Sequence, residues 1–227
     1  MNKIPLEKRQ LVKEVTLDMA NNMEAAVRLS FPNASLVTDH FHVIKLVMDA
    51  LQHVRIKHRW EELDKENEAI KRAKINKEKY IPFTFENEDT PKQLLARSRY
   101  IIAKREEKWT KNQKQRADIL FKNYPIIEKA YYHIIEFRNV YQVKNKEQAN
   151  EKFIEWLIKT EELNIEQFTI ASNTISNKLD TILNYFINRS TNANAESFNA
   201  KIKLFRANLR GVIDIKFFLF RLEKLFA

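Results

Sequence analysis

A single glycine, Gly211, stands in a chain of 227 residues, beside five prolines. Short-stranded sandwiches and barrels rely on glycine wherever a turn demands positive φ, and phosphate-cradling loops need it for close backbone approach. Both architectures are disfavoured by that one number, and a helix-dominated fold is the simpler reading. The chain is nevertheless a folding sequence: 44% of it is hydrophobic and fifteen residues are Phe, enough to build a real core.

Charge narrows the partners. Forty Lys and Arg against thirty Asp and Glu leave a formal charge of +10, which suits a polyanion and nucleic acid first. Cysteine is absent, which removes disulfides, thiolate zinc sites and Cys nucleophiles. No uncharged apolar run approaches the roughly 20 residues of a membrane span, and the charged N-terminus has no signal-peptide core. The expectation is a cytoplasmic protein without a membrane partner.

Hydrophobic periodicity divides the chain unevenly. Leu11 to Leu17 and Ala34 to Thr38 read as strands, with helical spacing between Met19 and Phe31. Strand, crossover helix and strand in so short a span make a βαβ unit with two parallel strands. From Phe41 to about Lys79 the pattern is helical, with Val43, Leu46, Val47, Ala50, Leu51 and Val54 as an apolar stripe. Tyr80 to Pro91 reads as a loop and Lys92 to Tyr124 as one or two helices. Further helices are expected from Pro125 to about Tyr141, Gln148 to Lys159, and Glu166 to Leu179 or beyond. After a polar break at 188–192, Ala193 to Arg210 reads as a helix stopped by Gly211 at C′, and Ile213 to Phe226 as the last one. The fold class is mostly α with a small parallel β part.

Three carboxylates stand where chemistry collects. Asp18 and Asp39 end the two parallel strands, the place where ligands gather in open α/β sheets. Glu196 lies early on the Ala193–Arg210 helix. There Phe198, Ile202, Phe205 and Leu209 repeat at helical spacing as a buried seam, whereas Glu196 shares a face with Asn199, Lys203, Ala207 and Arg210. A carboxylate heading a stripe of amides and cations suits a place where metal and phosphate meet. Each of the three also has an ordinary reading, Asp18 and Asp39 as helix caps and Glu196 as an acid favoured at a helix N-terminus.

The wording around these residues is more specific than their spacing. Val37-Thr38-Asp39-His40-Phe41-His42 followed by Val43-Ile44-Lys45-Leu46, the strand Val15-Thr16-Leu17-Asp18-Met19, and Arg189-Ser190-Thr191-Asn192 leading into Asn194-Ala195-Glu196-Ser197-Phe198-Asn199-Ala200-Lys201-Ile202-Lys203 resemble, in order, blocks of the ISL-three-like DDE transposases of bacterial insertion sequences. Leu94 to Tyr100 and Phe217 to Leu222 are similar to that family too. The resemblance implies a partial RNase H-like α/β core interrupted by a large all-helical insertion: residues 1–50 as core, 51–187 as insertion, 188–227 as returning core helices. It implies DNA cleavage and strand transfer at insertion-sequence ends, with Mg²⁺ or Mn²⁺ in a two-metal site. Residue by residue, Asp18 matches the second catalytic Asp and Glu196 the last catalytic Glu, both as metal ligands, with Asp39 and His42 in support. Duplex DNA at element ends and targets, a homo-oligomer within a transposition complex, and nucleoid association are implied partners and place.

Only seventeen residues precede Asp18, too few for the earlier strands that would carry a first catalytic Asp, at about 5–6 residues per strand plus turns and a crossover. The expectation is a catalytic-domain fragment that is inactive alone. DNA contacts are expected from Asn192, Asn199, Lys203, Arg206 and Arg210 on the Glu196 helix, and from Arg97, Arg99, Lys104 and Arg105. Arg55, Lys57, His58, Arg59 and Trp60 form a shorter basic group. The alternative is a non-catalytic basic helical module that binds DNA. Tyr131, Tyr132, Trp156 and Phe168, at helical spacings, are expected in the core.

Overall fold

The computed structural model describes residues 4–226, which form two compact units: the described residues up to 39 with those from 189 on, and 40–188. In the first, a short helix α1 (Leu6–Gln10) precedes β1 (Glu14–Leu17), the crossover helix α2 (Asn21–Ser30) and β2 (Ser35–Thr38). The strands pair in parallel, Glu14 against Ser35 through Leu17 against Thr38. The expected βαβ unit is present, with strands shorter than the alternation suggested. Helix α1 was not anticipated; Arg9 donates to the Ser30 carbonyl at 2.9 Å and so ties it to the end of α2.

The second unit begins with the longest element, α3 (His40–Ile75). Only its first half is a core helix: Val43, Val47, Ala50, Leu51 and Val54 are buried at the spacing read from the sequence. It packs against α4 (Pro91–Arg97), α6 (Pro125–Val140) and α8 (Glu166–Asn177). Helix α5 (Lys111–Asn123) packs on α6, and α7 (Lys146–Leu163) on α6 and α8, while α9 (Leu179–Leu183) and α10 (Tyr185–Asn188) close the unit. Trp156, Tyr131, Phe137, Phe153 and Phe168 fill the interior. Of the four aromatics assigned to the core, Tyr132 is the exception, at 46% exposure.

The stretch 92–124 is broken further than its periodicity implied. Ser98–Tyr100 and Glu106–Lys108 are 3₁₀ turns, with irregular chain between and after them. The signal inside the stretch was the capping box of Thr110 with Gln113, which starts a new helix. Arg97 to Arg116 therefore lie on a folded loop and two helices rather than along one helical face.

Scarcity of glycine is met by other residues in left-handed conformations. Lys77 (φ 58°) follows α3, and Asn164 (φ 50°) caps α7. Glu78 N–H reaches the Ala73 carbonyl at 2.8 Å, completing a Schellman motif with Lys77 at C′.

Back in the first unit, α11 (Ala193–Asn208) and α12 (Ile215–Phe226) complete the structure. The end of α11 differs in one respect from expectation. Arg210 (φ 53°) occupies C′ and Gly211 occupies C″, with Gly211 N–H bonded to Arg206 O at 3.2 Å. The Phe198–Leu209 seam is only partly covered. Ile202 and Phe205 are half-buried, whereas Phe198 and Leu209 are 45% and 37% exposed. Phe205 stacks on Phe218 of α12 at 5.6 Å, beneath the Arg221 guanidinium.

Candidate functional site

The register that pairs Leu17 with Thr38 brings the next residues, Asp18 and Asp39, out of the sheet side by side at its C-terminal edge. Adjacent strands stand about 4.8 Å apart, so the two carboxylates share one neighbourhood but occupy different surroundings. Asp18 is exposed and its Oδ1 accepts from Ala20 N–H at 2.9 Å, a local turn that leads into α2. Asp39 is 2% exposed; its N–H continues the ladder to Leu17 O at 2.8 Å.

Asp39 then makes the contact that organises the unit. Its Oδ2 accepts from Asn192 N–H at 2.9 Å, joining positions 153 residues apart in the sequence. Asn192 is the N-cap residue of α11, and Glu196 N–H closes the first helical hydrogen bond onto the Asn192 carbonyl at 2.8 Å. A buried carboxylate at the positive end of a helix gains both a charge-assisted hydrogen bond and the helix dipole. Asp39 thus meets the N-terminus of α11, a helix far from it in the sequence.

Glu196 lies in the first turn of α11 and is exposed. Asn199, Lys203 and Arg206 are exposed along the same helix. Arg210 does not belong to that stripe, because its left-handed backbone takes it off the helical path after Asn208. Phase arithmetic carried through a whole helix fails at the C-cap. His42 is a half-buried residue of the helical unit, in α3, edge-on to Phe41 at 5.4 Å.

The second set of basic residues separates as well. Arg97 turns onto Asp89, a fully buried carboxylate that also accepts from Arg116 Nε at 2.7 Å and Asn87 Nδ2 at 2.8 Å. Arg99 and Lys104 are exposed and Arg105 half-buried on the loop that follows.

Among the described residues no group of three or more His, Asp or Glu side chains is gathered closely enough to hold a metal ion. Asp18, Asp39 and Glu196 do not by themselves make a closed donor set, and a two-metal centre needs more ligands than they supply. Among the described residues no helix is long and apolar enough to cross a membrane.

No curated protein and no solved structure matches the chain. A family model for DDE transposases of the ISL3 type, described as a transposase, matches residues 1–222. DDE transposases generally use a divalent metal, act on DNA and move insertion sequences. With that match running over nearly its full length, the chain belongs to the ISL3-type family of DDE transposases.

Proposed function

We propose that residues 1–39 with 189–227 are part of an RNase H-like catalytic core for DNA transposition, and that residues 40–188 are a helical insertion within it. In this reading Asp18 and Glu196 are metal-binding carboxylates and Asp39 is a positioning residue. One observation carries it: the 2.9 Å hydrogen bond from Asn192 N–H to buried Asp39. That bond fixes the first turn of the helix bearing Glu196 against the strand end beside Asp18, so two exposed carboxylates are supplied to one edge of the sheet. Among the described residues Asp18 keeps a local turn contact with Ala20 N–H. Asn192, Asn199, Lys203 and Arg206 then line the approach for a phosphodiester backbone. Bound divalent metal would supply charge neutralisation at the scissile phosphate. The chain's own contribution is to hold carboxylates and cations in register.

The second reading, a basic helical module that binds DNA without cleaving it, draws its support from the lack of a three-acid cluster among the described residues. A Mn²⁺-dependent nicking and strand-transfer assay on insertion-sequence-end DNA separates the two. The isolated chain is expected to bind that DNA and to cleave it weakly or not at all, because Asp18 and Glu196 alone do not supply the ligands of a two-metal centre. Robust cleavage abolished by Glu196→Gln would overturn the incompleteness and leave the role of Glu196 standing. Robust cleavage unchanged in both Asp18→Asn and Glu196→Gln would overturn the assignment of the site.

A further inference from the structure

A second surface, wholly inside the helical unit, is built from the loop between α4 and α5. Four of its backbone carbonyls accept hydrogen bonds from side chains of the surrounding helices and of the loop itself. Gln52 Nε2 donates to Arg99 O at 3.1 Å, Trp109 Nε1 to Ile101 O at 2.9 Å, Arg138 to Ala103 O at 3.1 Å, and Tyr131 Oη to Lys104 O at 2.9 Å. Ile101 and Ile102 are buried as an apolar plug. What this scaffold turns outward is Arg99, Tyr100 and Lys104, with Arg105 half-buried beside them.

Arginines lie beneath and beside it. Arg55 of α3 is 4% exposed, yet its Nε goes to Gln52 Oε1 and its Nη1 to the Leu95 carbonyl, both at 2.8 Å, and neither acceptor is a carboxylate. Its pKa is pushed down by burial first, then by the charges of Arg59 and Arg99. Arg138 is lowered in the same way, by burial and then by Arg105. Among the described residues, Arg55, Arg59, Arg99, Lys104, Arg105 and Arg138 form no ion pair. Nearby cations do find partners: Arg97 and Arg116 share Asp89, Lys92 takes Glu66, and Lys159 takes Glu136. Glu106, the carboxylate next in sequence, is engaged by the Tyr132 hydroxyl, whose pKa it helps raise to about 12.

Arg55, which is buried, is repelled by Arg59 and Arg99, and the half-buried Arg138 by Arg105, and such repulsion grows as water is excluded. A rigid loop that presents them has already lost its conformational entropy on folding, so a polyanion binding there has little more to order. We propose that this loop, with Arg55 and Arg59 of α3, is a preformed contact for the phosphodiester backbone of duplex DNA, and that it is indifferent to base sequence. Arg59, Arg99, Lys104 and Arg105 touch phosphate; Arg55 and Arg138 set the field from below. The inference rests on the reading of the chain as one that acts on DNA, and it adds a contact surface separate from the carboxylate-bearing unit.

The test is fluorescence anisotropy of the full chain with a labelled duplex of arbitrary sequence, titrated with KCl. In the triple variant Arg59→Gln/Arg99→Gln/Arg105→Gln, the slope of log K against log salt should fall by about 2 to 3, since each phosphate contact contributes about 0.9. Affinity near 0.1 M salt should drop about tenfold or more by the same relation. A charge-matched control, Lys71→Gln/Lys129→Gln/Lys144→Gln, should leave the slope within about one unit of wild type. Circular dichroism and a melt establish that both variants fold. Equal slopes in the two triple variants would overturn this surface while leaving the transposase reading intact. Absence of salt-dependent binding by the wild-type chain would overturn both.

Discussion

His133 makes the helical unit acid-sensitive, to an extent that follows from its surroundings. Trp156 Nε1 donates to the His133 carbonyl at 3.0 Å, and the Thr160 hydroxyl donates its one proton to the Trp156 carbonyl at 2.8 Å. The remaining contact, His133 Nε2 to Thr160 Oγ1 at 2.7 Å, must then have the imidazole as donor. In the neutral ring the proton therefore sits on Nε2, and the ring is stacked on Trp156 at 4.6 Å and edge-on to Phe168 at 5.5 Å. Burial, aided by Lys159 and opposed by Glu136, holds its pKa down from 6.5 to about 4. Because the folded value lies below the unfolded one, the unfolded chain takes up a proton that the native state refuses. Stability is complete above about pH 6.5 and is lost as pH falls toward 4. At about 1.4 kcal/mol per pH unit, the loss reaches about 2 kcal/mol at pH 5 and about 3 kcal/mol at pH 4. The assay is urea denaturation at several pH values, followed by tryptophan fluorescence. All three tryptophans, Trp60, Trp109 and Trp156, lie within residues 40–188, so the signal reports on this unit alone. His133→Phe keeps an aromatic ring against Trp156 and removes the titration, so its stability should fall less between pH 7 and pH 4.5. Parallel pH profiles for wild type and His133→Phe would refute the reasoning.

Asp39→Ala removes the acceptor for Asn192 N–H and the negative charge at the start of α11, and should cost about 2 to 3 kcal/mol. The expected signature in hydrogen exchange is faster exchange of the amides of 192–197, with those of α6 and α7 unchanged; uniform acceleration throughout the chain would count against it. Lys77→Gly should raise stability by about 0.5 to 1 kcal/mol, because glycine occupies the left-handed C′ position without the steric penalty a side chain meets there. A thermal melt that moves down would show that the long exposed half of α3 does not end as described.

Much of this protein follows from local sequence patterns. One glycine and a run of 3.6-residue periodicities suffice for a helical body. The βαβ unit is legible because alternation, a helical stretch and a Pro32-Asn33 break fall within forty residues. The apolar stripe of α3 and the exposure of Glu196 follow the same arithmetic, since a helix imposes its period on any side chain it carries. Arithmetic of that kind ends where the helix does. It took Arg210 one residue too far, along a stripe that the backbone leaves at C′, and within Lys92–Tyr124 it missed the irregular loop that ends at the Thr110–Gln113 capping box. Tertiary structure alone decided which carboxylate is buried and which is free to face solvent. Asp18 and Asp39 occupy equivalent strand ends, yet Asp39 is the one that meets a helix N-terminus arriving from 153 residues away. It alone decided, too, that Arg97 is spent on Asp89 while Arg99, two residues on, joins Arg55 and Arg59. A side chain's partner across space depends on how helices pack, and packing is settled by the whole core at once rather than by the neighbours in the chain.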